Sequence, residues 1–345
     1  MLIFHSPTHL LHAPAHEIFR GERVACLETP ARAEFVREAL AARGHAFALP
    51  EADASAILEQ VHAPRYLAFL QNAWDEWLAL EAGNAQRQPF PSVWPVRGLR
   101  SDVEPRNFTA RLGLYSMDNG SPLSPGAWAA AKAGADMAAS AAARIAAGVR
   151  AAFCLTRPPG HHAGPDFMGG YCFVNSAAVA AQALRAGGCE RVAVLDVDYH
   201  HGNGTQAIFD ERADVLTLSL HGDPRTEYPF FLGHADERGH GAGEGFNMNL
   251  PLPAGCPVDV WFYALDAALA RIRSFKPGAL VVALGLDTFE GDPIASFHLR
   301  ADDYRRLGER LARLGLATVF TLEGGYAAAE LGLNAAAVLD GFEQA

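Results

Sequence analysis

From residue 151 to the C-terminus, short apolar runs alternate with longer stretches whose apolar positions recur every three or four residues. The runs at 151–155, 192–196, 215–220, 247–250, 280–284 and 318–322 have the length and composition of buried strands. Helical periodicity falls at 175–184, 258–272, 302–314 and from Tyr326 onward; in the second of these, Phe262, Leu265, Leu269 and Ile272 share one face. Apolar strands separated by helices predict a mostly parallel, multi-stranded sheet with helices on both faces, an α/β fold.

The N-terminal half is less regular. Residues 2–4 fit a short first strand. Thr29-Pro30 starts a helix as an N-cap followed by proline; Phe35, Val36 and Leu40 give that helix its apolar face, and Gly44 ends it. Val61 to Leu70, continued by Trp74 and Trp77, reads as a further helix with a loop before it. Ser124-Pro125 opens a helix whose residues 129–147 are nearly all helix formers, and Gly148 closes it. His5, His9, His12 and His16 are scattered through a loop with no metal-site spacing, which fits surface or loop-packing roles. Residues 83–123 are interrupted by Pro89, Pro91, Pro95 and Pro105; a loop this long predicts an ordered insertion that shapes a site rim or a subunit contact. With no repeat and no dividing linker, residues 1–345 are expected to form a single domain.

Composition narrows the function. Half of the residues are hydrophobic, ample for a core. A formal net charge of −11 argues against a nucleic-acid partner and for attraction of cations. The five cysteines never occur as CxxC, the pattern of buried free thiols in a reducing compartment. No basic segment leads into an apolar run at the N-terminus, and no apolar run approaches the ~18 residues of a membrane span. The expectation is a soluble, cytoplasmic protein without membrane contact.

Reactive residues follow four of the expected strands. Asp196, Asp198 and His200 leave the run 192–196 at steps of two, which places them on one side of an extended chain. Arg157-Pro-Pro-Gly-His161-His162 follows 151–155, Asp287 follows 280–284, and Glu323-Gly-Gly-Tyr326 follows 318–322. In a parallel sheet these ends open on one edge, where open α/β folds place their sites. Asp198, His200 and Asp287 make a three-ligand divalent metal site with a position left for water or substrate; one nitrogen and two oxygen donors fit zinc, Fe(II) or Co(II). Asp196 is placed to orient an imidazole. His161 and His162 suit general acid and base roles, and the Tyr326 hydroxyl suits a developing oxyanion.

The segments RPPGHHAG, GGYCFVNSAAVAAQ, VLDVDYHHGNGTQAIF, SLHGDP, NLPLP, LGLDTFEGDP and LEGGY occur in order between residues 151 and 326. Together they resemble the zinc-dependent histone deacetylase superfamily, on the arginase–deacetylase fold. ETPARAEFV and VHAPRYLAFL extend the likeness to nearly the whole chain. Within that superfamily the chain most resembles the bacterial acetylpolyamine amidohydrolase branch, by its length, DTFEGDPI and the insertion at 83–123.

The resemblance implies one zinc ion per subunit on Asp198, His200 and Asp287. It implies His162 as general base and then acid, His161 paired with Asp196 as electrostatic support, and Tyr326 polarising the amide carbonyl. Asn203 stands where some relatives have aspartate, which implies a less basic His162. Tyr171 and Tyr228, with Gly170, match the walls around the substrate's methylene chain. Asp196, Asp198, His200, Ser219 and Leu220 match a monovalent-cation (K⁺) site; Phe209 and Val215 match a second, where Arg212 replaces the usual small polar residue. Tyr-His after Asp198 and Thr-Phe after Asp287 favour one metal over the two manganese ions of the arginase branch. For a distal ammonium, Asp118 is the nearest match to the branch's acidic anchor, whose aligned position falls at Gly120; Asp102 and Glu104 are further candidates.

The implied activity is hydrolysis of N-acetylated polyamines or similar small acetylated amines, in a homodimer built through the insertion. The alternative is a protein N6-acetyl-lysine deacetylase, which needs an open channel mouth and is disfavoured by the insertion. A non-catalytic acetyl-group binder is expected to have lost metal ligands or Tyr326, and all are present.

Overall fold

Eight parallel strands, in the spatial order 47–48, 2–4, 151–154, 317–322, 279–284, 192–196, 215–222 and 247–252, run through the centre of the computed structural model, which describes residues 1–345. In chain order the elements are β1 (Leu2–Phe4), β2 (Glu17–Phe19), β3 (Glu22–Val24), α1 (Pro30–Ala42), β4 (Phe47–Ala48), α2 (Ser55–Val61), α3 (Pro64–Leu80), α4 (Phe108–Leu114), α5 (Ala127–Ala146) and β5 (Ala151–Cys154). They continue with α6 (Ser176–Ala186), β6 (Val192–Asp196), α7 (Asn203–Phe209), β7 (Val215–Gly222), β8 (Asn247–Leu252), α8 (Val258–Phe275), β9 (Ala279–Leu284), α9 (Ala301–Ala312), β10 (Ala317–Leu322) and α10 (Ala328–Gln344). No helix is long and apolar enough to cross a membrane.

The strands read as continuous apolar runs because both sheet faces are covered. Successive residues of one strand feed opposite cores. Phe153, Leu195, Val282 and Phe320 pack on one side with α8, α9 and α10, while Ala152, Val194, Val281 and Val319 pack on the other with α5 and α6. The sheet is parallel throughout, a stricter arrangement than the expected mostly parallel one.

Several local expectations are corrected. The helix sought across 61–77 is two helices, because Pro64 drives Ala63 into extended backbone (φ −63°, ψ 136°). Phe35 is exposed; Ala33, Val36 and Leu40 form the buried stripe of α1. Helix α10 begins at Ala328, since Tyr326 is held in the preceding loop by its own N–H, which donates to Asp292 Oδ2 (2.7 Å). Of the two roles expected for the N-terminal histidines, His9 and His12 take the packing one and are buried. The β2–β3 hairpin, β4 and α2 carried no periodicity strong enough to be expected. The insertion holds a 3-10 turn at Ala82–Gln86 and α4, and Gln88 Oε1 accepts from the backbone N–H groups of Ala15 and His16, just before β2.

Candidate active site and metal centre

The carboxyl ends of β5, β6, β9 and β10 are neighbours in the sheet, so the residues that follow them converge. The step-of-two expectation for Asp196, Asp198 and His200 holds in outcome and fails in mechanism. Strand β6 ends at Asp196. Beyond it, Asp196 Oδ1 accepts from Asp198 N (3.0 Å) and Asp198 Oδ1 accepts from His200 N (2.9 Å). Two successive side-chain-to-backbone turns, and not a pleated strand, aim these groups.

Asp198, His200 and Asp287 are buried and present three donor atoms to one another: His200 Nδ1 lies 3.2 Å from Asp198 Oδ1 and 3.0 Å from Asp287 Oδ2. Ligands about 2.1 Å from a tetrahedral zinc ion stand roughly 3.4 Å apart, so the cluster is near the spacing such an ion requires. The remaining oxygens are fixed. Asp287 Oδ1 accepts from Tyr199 N (2.8 Å), and Asp198 Oδ2 accepts from Gly324 N (2.8 Å). A Cβ on Gly324 would stand 2.6 Å from both Asp198 Oδ2 and Asp287 Oδ2, so only glycine lets the β10 loop close on the two carboxylates.

The electrostatics of the cluster call for positive charge. Burial, then Asp198, pushes Asp287 up to about 8. Burial opposes ionisation of Asp198 too, but His161 and His200 outweigh it and hold Asp198 well below the usual carboxylate range. Burial pulls His200 down, yet the two carboxylates raise it to about 10. Without a cation the site gathers protons; a divalent ion satisfies the same field and leaves the imidazole neutral.

The two neighbouring imidazoles, with ring centroids 4.0 Å apart, are driven in opposite directions. His161 Nδ1–H donates to Asp196 Oδ2 (2.9 Å); burial lowers its basicity, but Asp198 and Asp196 raise it to about 10. His162 Nδ1–H donates to Asn203 Oδ1 (2.7 Å). Burial, then His161 and His200, holds His162 well below the ordinary histidine value, and the Asn203 amide supplies no charge to counter this. His162 therefore presents a free Nε2 lone pair.

Tyr326 sits over the Arg32 guanidinium, 4.7 Å from ring centroid to Cζ. Arg32 is buried and donates to Gly325 O (2.6 Å), Glu323 O (2.6 Å) and Glu28 Oε1 (2.9 Å), so α1 shapes the loop that carries the phenol. Burial holds the Tyr326 phenol well above its ordinary value, which keeps it a donor. Glu323 Oε2 accepts from Gly160 N and His161 N, tying that loop to the histidine turn.

A cavity of about 610 Å³ leads to these groups and is lined by His162, His200, Asn203, Tyr326, Gly170, Tyr171, Tyr228 and Asp118. Tyr171 adopts φ 68°, an uncommon conformation for a side-chain-bearing residue that points to a constrained position. A Cβ on Gly170 would meet His162 Cδ2 at 2.4 Å, so glycine is required beside that imidazole. Asp118 is committed to the wall: Oδ1 accepts from Gly120 N, and Oδ2 from the Tyr228 hydroxyl (2.6 Å) and Gly170 N. Asp102 and Glu104 do not line the cavity; Asp102 pairs with Arg100 in solvent and Glu104 faces Arg111. A carboxylate that sequence reasoning missed, Glu17 of β2, does line it, and Glu17 Oε2 is buried without a hydrogen-bond partner. No periodicity marked that hairpin. Asp292, Glu323 and Arg32 were inside the quoted motifs but carried no separate signal.

For the monovalent-cation residues, Ser219 of β7 lies in register with Asp196, and its hydroxyl is bonded to His221 Nδ1 (2.8 Å). Leu220 follows in the strand. Phe209 ends α7 and Val215 begins β7, with the Arg212 guanidinium lying over the Phe209 ring.

A match to the histone deacetylase domain spans residues 26–342. An acetylpolyamine amidohydrolase of Pseudomonas aeruginosa is 49% identical over 344 residues, covering 99% of this chain and 99% of the relative. The acetylpolyamine amidohydrolase of Mycoplana ramosa is 44% identical over 342 residues, again with 99% of each covered. A crystal structure of acetylpolyamine aminohydrolase from Burkholderia pseudomallei superposes with a TM-score of 0.94 at 40% identity, covering 99% of this chain and 98% of that one.

Two outcomes are expected from this geometry. Asp198→Ala should lose one equivalent of bound divalent metal relative to the unsubstituted protein, measured by elemental analysis after dialysis; unchanged metal content contradicts the ligand assignment. Asn203→Asp places a carboxylate against His162 Nδ1 and should raise the pH at which that imidazole protonates by about one unit, followed by ring-proton resonances. An unmoved or lowered titration contradicts the account of His162.

Proposed function

The chain belongs to the histone deacetylase domain family, and from that premise we propose that it hydrolyses the acetamide bond of N-acetylated polyamines and similar small acetylated amines. The products are acetate and the free amine. The observation that carries this reading is the cavity: it joins His200 of the three-donor cluster, His162 and Tyr326 to the Glu17 carboxylate along aromatic walls. An extended methylene chain fits between such walls, and a cationic amine at its far end fits a buried carboxylate oxygen that accepts nothing. Asp118, already accepting three hydrogen bonds, serves better as the support of Tyr228 than as the anchor.

Members of the family are generally zinc-dependent, and the donor set fits that ion on Asp198, His200 and Asp287. When bound, zinc polarises the acetamide carbonyl and acidifies water. His162 Nε2 takes the proton of the attacking water and returns it to the departing nitrogen. His161, raised by Asp198 and Asp196, supports the negative charge that develops. The Tyr326 hydroxyl donates to the carbonyl oxygen as that charge appears, a contribution of about 10²–10³ in rate for donors of this kind. Potassium is read at Asp196, Asp198, His200, Ser219 and Leu220, supported by the β6–β7 register.

The chain acts as one deacetylase domain over 1–345, supported by one eight-stranded sheet whose strands are drawn from Leu2 to Leu322. It is also read as a homodimer. Phe19, Phe230 and Phe231 are exposed at the cavity, with Phe231 89% accessible, and such an apolar rim is suited to a second copy.

Turnover on acetylputrescine, acetylcadaverine and an acetyl-lysine peptide, each with and without a chelator, tests the activity. Chelator-sensitive release from the small amines in preference to the peptide is expected; preference for the peptide identifies a protein deacetylase instead. Sedimentation at micromolar concentration is expected to give a dimer, and a monomer rejects that part of the reading.

A further inference from the structure

We propose that His5, His9 and Glu34 form a second divalent-metal site of the zinc class, separate from the Asp198–His200–Asp287 cluster. The three residues come from three elements. His5 leaves β1, His9 lies in the 3-10 turn Pro7–Leu11, and Glu34 stands in α1. Their donor atoms all lie within 4.8 Å of one another. Glu34 Oε1 is 3.0 Å from His9 Nε2 and 3.8 Å from His5 Nε2, values that straddle the roughly 3.4 Å between ligands of a tetrahedral zinc ion.

A simple hydrogen bond accounts for part of this arrangement and leaves the rest unexplained. His9 Nε2–H donating to Glu34 satisfies that pair. It leaves His5 Nε2 buried without a partner while facing the same carboxylate oxygen. One ion coordinated by His5 Nε2, His9 Nε2 and Glu34 Oε1 accounts for all three atoms. Two imidazoles and a carboxylate leave a fourth position for water, and the partial exposure of His5 and Glu34 gives an entry path.

The surroundings also set its strength. Glu34 Oε2 accepts from Arg37 Nε (2.8 Å), which fixes the carboxylate but withdraws charge from it. His9 Nδ1 is buried with no acceptor, so the outer support typical of a metal-bound histidine is missing on that ring. This site therefore binds more weakly than the catalytic cluster and releases its ion first. Its position gives it a mechanical role. The Arg157 guanidinium donates to His9 O (2.7 Å), and Arg157 begins the turn that carries His161 and His162. An ion here braces that turn from behind.

The test is zinc stoichiometry. Wild type, Asp198→Ala, Glu34→Gln and His5→Ala are stripped with chelator, checked by circular dichroism for folding, and dialysed against micromolar Zn²⁺ before elemental analysis. Two equivalents are expected in wild type and one in each variant, and Glu34→Gln should still turn over substrate with its remaining ion. During back-titration with chelator, wild type should lose one equivalent before activity falls. A wild type that binds a single equivalent overturns the proposal, as does retention of two equivalents by the folded Glu34→Gln or His5→Ala protein. The last two variants are independent, so failure of one to fold leaves the other decisive.

Discussion

Asp198 and Asp287 converge from two strand ends on one imidazole nitrogen, and neither is exposed to solvent. Two carboxylates buried this way are costly unless something positive stands between them. Much of the surrounding architecture answers that requirement. His161 is pushed cationic on one flank, and the N–H groups of Tyr199, His200 and Gly324 supply fixed partial charges on the others. The apolar strands β6 and β9 hold the backbone still, so the field is built in before any ligand arrives.

The same field separates the two histidines. They are adjacent in sequence and their rings lie side by side at a tilt of 43°, yet one faces a carboxylate and the other an amide. Asp198 and the Asp196 partner raise His161; burial, with His161 and His200 nearby and only a neutral partner to oppose them, lowers His162 and leaves it able to accept. The difference between carboxylate and amide in the two partner side chains adds to what burial and Asp198 already impose, and together they divide the labour of two identical residues.

The sheet and the reactive cluster were legible because strongly apolar strands run directly into Asp, His and Gly-rich turns, a contrast that periodicity detects. The means by which Asp198 and His200 are aimed was not legible, because pleated strands and successive side-chain turns both produce spacings of two. Glu17 stayed hidden for a different reason. Its strand is three residues long, pairs only with another of three, and its carboxylate gains meaning only from Tyr171 and Tyr228, which lie far along the chain. Arg32 likewise reads as an ordinary helix residue until its guanidinium is seen beneath Tyr326. Asp118 was found in the right cavity, but its hydrogen bonds give it the work of a wall and not of an anchor.

The recognisable family segment begins at residue 26, whereas β1 and the β2–β3 hairpin precede it. Strand β1 is an interior member of the sheet, between β4 and β5, and the hairpin supplies Glu17, Ile18 and Phe19 to the cavity. A boundary drawn at residue 26 would leave out that interior strand whole, together with one side of the pocket. The first twenty-odd residues thus serve fold and site together: one three-residue strand is locked inside the sheet while the hairpin after it closes a flank of the pocket, so loosening this stretch would disturb packing and substrate room at once.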